Sequence, residues 1–284
     1  MNEPRSLLIV TADDFGLTPG VCRGILQAAE RGIVTTTTAL AVGPAFADHV
    51  GALVSSGVPT GAHLAAVGED PPILEAAEVP TLVDRRGRFP VSWRQFVVRA
   101  ATGRVDADDL RREFTAQVQV LRDAGVHPTH LDAHQHLHLW PTVRDVVVRV
   151  AVDQGVEAVR VPWTRSAGIT ALAVRRLATS LRRHVERAGL RTTATSAGMD
   201  DAGHLRRDRL IATIDTLRHE SPPSAELGVH PGEAVDPDRL RYHWGYTWPL
   251  ELDALCDPDV AAHVESSGFR LGTFGDLPGP VGSD

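Results

Sequence analysis

Short apolar runs alternate with longer amphipathic segments along almost all of the chain. That alternation is its first structural signal. The run over 6–12 predicts a strand, and 19–31 a helix with Thr18 as N-cap, proline in its first turn and Gly32 as its stop. Strand patterns over 33–41 and 58–64 flank a helix over 44–56. The rhythm then breaks at Pro71, Pro72, Pro80, Gly87 and Pro90, which mark an irregular insertion over about 65–105. A long insertion of this kind in a compact domain is usually a functional loop. Helices over 106–124, 141–153, 172–188 and 205–218 then alternate with strands over 128–133, 157–161, 191–196 and 225–230. Two short helices (248–256 and 258–267) and a strand over 269–271 complete the pattern. Repeated strand–helix units predict a parallel sheet covered by helices.

A doubly wound sheet fits this pattern as well as a barrel does. The chemical residues separate the two, because Asp13, Asp14, His63, His134, Arg160 and His230 fall at or just beyond the ends of several different predicted strands. One face fed by many strand ends is what a barrel provides, whereas an open sheet concentrates its site at one crevice. The expectation is an α/β fold, a single-domain distorted TIM-like barrel carrying the irregular insertion.

Apolar residues make up 43% of the chain and charged residues 23%, the balance of a globular enzyme. With 29 basic and 36 acidic side chains the formal charge is -7, which offers no general attraction to nucleic acid or anionic membrane. No stretch approaches the roughly 20 apolar residues that span a bilayer, and the N-terminus lacks a signal-peptide pattern, so the cytoplasm is the default location. Cys22 and Cys256 are expected to be reduced thiols. A homodimer is the base-rate expectation for the assembly.

Asp13 and Asp14 follow the apolar run Leu-Leu-Ile-Val and precede Phe15-Gly16. Aspartate is a poor strand former and costly to bury unpaired, so the pair belongs at the strand end, with the turn at Gly16 bringing both carboxylates to one site. Such a pair suits a split role in which one carboxylate ligates a metal and the other acts as general base. His63 ends its strand as a polar ring after Gly-Ala. His130, Asp132, His134, His136 and His138 occupy alternate positions, which extended geometry would place on one side, but a barrel strand is too short to carry all five inward, so the later ones are expected in the following loop. Spacing alone leaves the ligand open: His134 is central, and His136 and His138 are alternatives. Oxygen plus two imidazoles suits Zn²⁺ and also accepts Mn²⁺, Co²⁺, Ni²⁺ or Fe²⁺, while Mg²⁺ would draw on waters. His230, before a Pro-Gly turn, is suited to general acid work. Arg160 is placed to hold an anionic intermediate or to pair with Asp13. Trp163, Tyr242, Trp244, Tyr246 and Trp248 offer faces for sugar rings in a chain with only 5% aromatics.

The ordered set TADDFG, GIVTTTTAL, GAHL, HLDAHQHLH, VRVPW and VHPGE resembles the YdjC-like carbohydrate deacetylase family, which contains chitooligosaccharide and hopanoid-biosynthesis deacetylases. The resemblance spans nearly the whole chain and implies one deacetylase domain over 1–284, a distorted TIM-like barrel that uses one divalent ion, Mg²⁺ or Zn²⁺ foremost, to release acetate from an N-acetylated saccharide. It implies Asp14, His63 and His134 as metal ligands, Asp13 as base and His230 as acid. One departure stands out. Family members often follow the histidine with Asn-Leu and a Thr-Glu-Gly run, whereas this chain reads His63-Leu64-Ala65-Ala66-Val67-Gly68-Glu69. Two other readings of the site are a metal phosphoesterase, with Asp132 or His136 serving a second ion, and a carbohydrate-binding protein without turnover.

Overall fold

The first strand, β1 (Ser6–Phe15), is apolar on both faces. Leu8, Val10 and Ala12 join the main core, while Leu7 and Ile9 join a separate cluster with Ala158, Phe274 and Leu277. Strand alternation carries that second face upward to Thr11 and Asp13. The inner face thus changes from apolar to charged within a few residues, and this gradient positions the site. The computed structural model describes residues 6–279. After β1 come α1 (Pro19–Arg31), β2 (Thr36–Ala39), α2 (Phe46–Ser56), β3 (Thr60–Leu64), α3 (Trp93–Ala101), α4 (Ala107–Asp123) and β4 (Leu131–Ala133). The second half holds α5 (Pro141–Asp153), α6 (Ile169–Arg187), β5 (Thr195–Ala197), α7 (Arg207–Glu220), β6 (Ser224–Val229), α8 (Trp248–Leu255), α9 (Pro258–Ser266) and β7 (Phe269–Leu271).

The strands form one parallel sheet in the order β4-β3-β2-β1-β6-β5, with β7 added beside the start of β1. The sheet curls into an open, distorted barrel, as expected, but the segment over 157–161 is not a strand. It makes only isolated bridges, Leu131 with Val159 and Ala158 with Arg191. The ladder stops for a local reason. Leu131 N donates to Ala158 O and Arg160 N to Leu131 O, and the next rung would need Ala133 N–H and a donor at position 162. Ala133 N instead donates to His138 Nδ1, and Pro162 has no N–H.

Helix α1 begins as predicted: Thr18 Oγ1 accepts from Val21 N. Its glycines allow close packing, since a Cβ at Gly24 would lie 2.6 Å from Gly232 Cα, in the loop that follows β6. The 65–105 insertion contains α3 and is anchored to one face of α4. Glu113 accepts from Ile73 N and Leu74 N, Asp109 accepts from Thr81 N, and Gln117 bonds both Ala65 N and Ala65 O. Among the described residues no helix is long and apolar enough to cross a membrane.

Candidate functional site

Consecutive residues of a flat strand point to opposite faces, so Asp13 and Asp14 need a break to converge. The expectation assigned that break to Gly16, whereas the backbone already turns at Asp14, whose φ is +72°, and again at Gly16, φ +102°. The pairing of β1 with β2 shifts register between Ala12 and Phe15 at the same place. A left-handed aspartate is a sparsely populated conformation of the kind that collects at functional sites.

Strand register makes His63 and Asp132 neighbours across β3 and β4. His63 Nδ1 lies 2.8 Å from Asp132 Oδ1, which leaves Nε2 facing Asp14 Oδ1 at 3.3 Å. His134 Nδ1 is 3.0 Å from the same Asp14 oxygen and 3.3 Å from His63 Nε2. All three side chains are buried, and among the described residues Asp14 Oδ1 has no hydrogen-bond partner. Donor atoms of a tetrahedral ion with bonds near 2.0–2.1 Å are about 3.3 Å apart, and those of an octahedral ion about 3.0 Å. The triangle therefore fits a divalent cation, and the orphaned oxygen identifies where its charge is needed.

The electrostatics agree. Burial opposes ionisation of Asp14, but the charges of the His134 and His63 rings beside it hold its carboxyl well below the usual range. Burial would depress His63, yet Asp132 foremost, with Asp14 and Asp13, raises its ring to about 10.

The alternating histidines do not share one face. β4 ends at Ala133, and His134–Leu139 winds as a 3-10 turn with Gln135 and His136 in left-handed conformations, φ +52° and +54°. Gln135 is held there from the insertion, its Oε1 accepting from Trp93 N (2.7 Å) and its Nε2 donating to Val91 O (3.1 Å). His130 stacks on Phe274, ring centres 4.0 Å apart, and burial drives it down to about 3. His138 is buried with its Nδ1 accepting from Ala133 N. Neither His136 nor His138 joins the group of metal-capable atoms that His134 completes with Asp14 and His63.

Arg160, reaching inward from its bridge beside β4, pairs with three carboxylates: Asp13 at 2.5 Å, Glu226 at 2.8 Å, and Asp132. Asp13 Oδ1 also accepts from Thr38 Oγ1 at 3.1 Å, while Asp13 Oδ2 faces His230 Nε2 at 3.9 Å. The two oxygens are thereby divided, one fixed and one free. His230 N donates to Glu251 Oε2 at 2.6 Å, and the ring of His230 meets Tyr246 edge-on at 4.9 Å. A cleft of about 10 Å³ adjoins Asp13, His136, Arg160, Glu226 and His230. Tyr242, Trp244, Tyr246 and Trp248 form a chain of touching rings that reaches this centre, with Trp244 at 5.3 Å from the His134 ring. Trp163 is not among them and packs against the main core.

Sequence reasoning passed over Glu226, Glu251 and Gln135. Glu226 carried a usable signal, since a carboxylate inside the apolar run Ala-Glu-Leu-Gly-Val cannot be buried without a cationic partner. Glu251 and Gln135 act on backbone groups distant in sequence and leave no local pattern.

Fold and site together define a curled parallel α/β protein with a buried His/Asp cluster able to coordinate a divalent metal. Residues 7–266 match the YdjC-like protein family, and the chain belongs to it. Human "Carbohydrate deacetylase" is 30% identical over 305 residues, covering 98% of this chain and 93% of that protein. The "Chitooligosaccharide deacetylase" of Serratia marcescens is 30% identical over 278 residues, covering 96% and 100%. A crystal structure from Enterococcus faecalis V583, of a candidate cellobiose-phosphate cleavage protein, matches with a TM-score of 0.79 at 25% identity over 95% of this chain and 98% of that one.

Proposed function

We propose that this chain is a divalent-metal-dependent N-deacetylase that hydrolyses the acetamide of a small saccharide to acetate and a free amino sugar. The observation that carries the reading is the Asp14–His63–His134 triangle set beside a second carboxylate with one free oxygen. The names of the relatives above supply the substrate class. Asp14, His63 and His134 would hold the ion, and an oxygen with two imidazoles favours Zn²⁺, with Mg²⁺ as the alternative. When bound, the ion would polarise the acetyl carbonyl and acidify water.

The chain's own groups divide the proton work. Arg160 and Thr38 bind Asp13 Oδ1 and turn the carboxylate so that Oδ2 can take a proton from attacking water. His230 Nε2, 3.9 Å from Asp13 Oδ2, would protonate the departing amine. Asp132 orients His63 through Nδ1 and so presents Nε2 as a donor, the usual carboxylate–histidine arrangement of metal sites. A phosphoesterase reading would need a second ion, and Asp132 is already engaged by His63 and Arg160.

The test joins metal analysis to an acetate-release screen over N-acetylglucosamine, its oligomers and diacetylated sugars. Asp13→Asn should keep bound metal and lower kcat by about 10²–10⁴. Acetate release by that variant near the wild-type rate would remove Asp13 from the base role.

A further inference from the structure

The aromatic stretch before α8 lies against both ends of the proposed reaction centre: Trp244 on His134, and Tyr246 on His230. Three of its four rings have other structural tasks. The Tyr242 hydroxyl is 3.1 Å from Asp70 Oδ2 and 3.3 Å from Leu17 O. Trp248 is buried, packs on Gly232 and carries the Arg239 guanidinium over its face at 5.3 Å. Tyr246 fills the space left by Gly203, where a Cβ would lie 2.1 Å from the tyrosine ring. Trp244, though it also packs partly on the core, is the one half-buried indole of the four, and among the described residues its indole N–H makes a single polar contact, Nε1 to Glu69 Oε1 at 3.3 Å.

The strand side of the site offers little to read a sugar. Leu64, Ala65, Ala66 and Val67 follow His63 as buried apolar residues, and both backbone groups of Ala65 are taken by Gln117. What this segment contributes instead is Glu69, two residues beyond Val67, and Glu69 holds Trp244.

We infer that Trp244 is the specificity-determining platform of the site: the sugar ring bearing the reacting acetamide stacks on its indole, and Glu69 fixes the indole for that purpose. The inference rests on the deacetylase reading and deepens it. A pyranose presents a face of C–H groups that packs on an aromatic plane at about 4 Å. The carbonyl carbon of an acetamido group lies two bonds, about 2.5 Å, from the ring carbon that bears it. With the Trp244 and His134 rings 5.3 Å apart, a sugar seated on Trp244 has its acetyl carbonyl within reach of the metal triangle.

The test compares Trp244→Leu, which keeps bulk without a π face, with Trp244→Phe, which keeps an aromatic face. N,N′-diacetylchitobiose is the substrate, and bound metal is measured in every variant. Trp244→Leu should raise KM at least tenfold with kcat changed less than threefold and metal content unchanged. Trp244→Phe should restore KM to within threefold of wild type, and Glu69→Ala should raise it a few-fold. An unchanged KM in Trp244→Leu, or a loss confined to kcat, overturns the platform while leaving the deacetylase reading in place. Wild-type protein, metal-loaded, that releases no acetate from any N-acetylated saccharide overturns that reading and the platform with it.

Discussion

Arg160 sits among three acids, and one cation cannot neutralise three carboxylates. Glu226 is the one that yields. Burial first, with the charges of Asp13 and Asp132 assisting against Arg160, pushes it up to about 7. Its folded value lies above its ordinary 4.5, so its stabilising contribution is complete below about 4.5 and is lost as pH rises through about 7. Glu226→Gln should abolish that part of the pH dependence. Urea melts of chelated protein at pH 5 and pH 8 should show a smaller stability difference in the variant than in wild type. Equal differences in the two proteins would mean that Glu226 ionises without cost. Asp13 and its partner Arg160 were legible because a doublet of acids after an apolar run and an arginine at a strand end advertise themselves, whereas the signal of Glu226, a lone carboxylate inside an apolar run, says only that a buried cation must face it.

At the scale of elements, the sequence carried most of what periodicity can carry. The bounds of α1, α5 and β7 agree with their patterns to the residue, because a proline start, an amphipathic stripe and a stop signal are local properties. The predicted strand over 157–161 failed for a non-local reason, namely that its next rung needed an N–H already given to His138 and another that Pro162 lacks. The HxHxH repeat outruns its strand as expected: β4 ends at Ala133, and His136 and His138 lie in the turn that follows it. The glycines of α1 are packing devices. Gly24→Ala would drive a Cβ into the backbone at Gly232, two residues after His230. Overpacking of this kind costs about 1–3 kcal/mol. The variant should unfold at lower denaturant concentration and lose activity through displacement of His230. Unchanged stability would show that the α1–loop contact can open freely.

For the whole molecule, metal and proton compete for one ring. His63 is raised to about 10 by Asp132 and Asp14, so without an ion its proton contributes stability that is complete below about 6.5 and is lost as pH rises through about 10. An ion bound at Nε2 must displace that proton. Apparent metal affinity should therefore climb with pH across this window, by close to tenfold per unit, with about one proton released per ion near pH 8. Calorimetry in buffers of different ionisation enthalpy measures that release, and no proton uptake by the buffer would exclude His63 as a ligand. Thermal melts should show the chelated protein weakening from pH 6.5 to 10. At free metal 100-fold above Kd, the loaded protein should gain about 2.7 kcal/mol.

The placement of β1 has a consequence for biogenesis. Its early residues pair with segments made last, Leu7 with Ser224 and Ser6 with Phe269, while its later residues pair with β2. A chain emerging from the ribosome can form the β1–β2–β3 edge early, but it must then present one bare edge of its central strand until β6 arrives. The apolar and charged halves of that strand's inner face are both unsatisfied meanwhile. Such non-local closure predicts slow folding and a need for holding factors during synthesis.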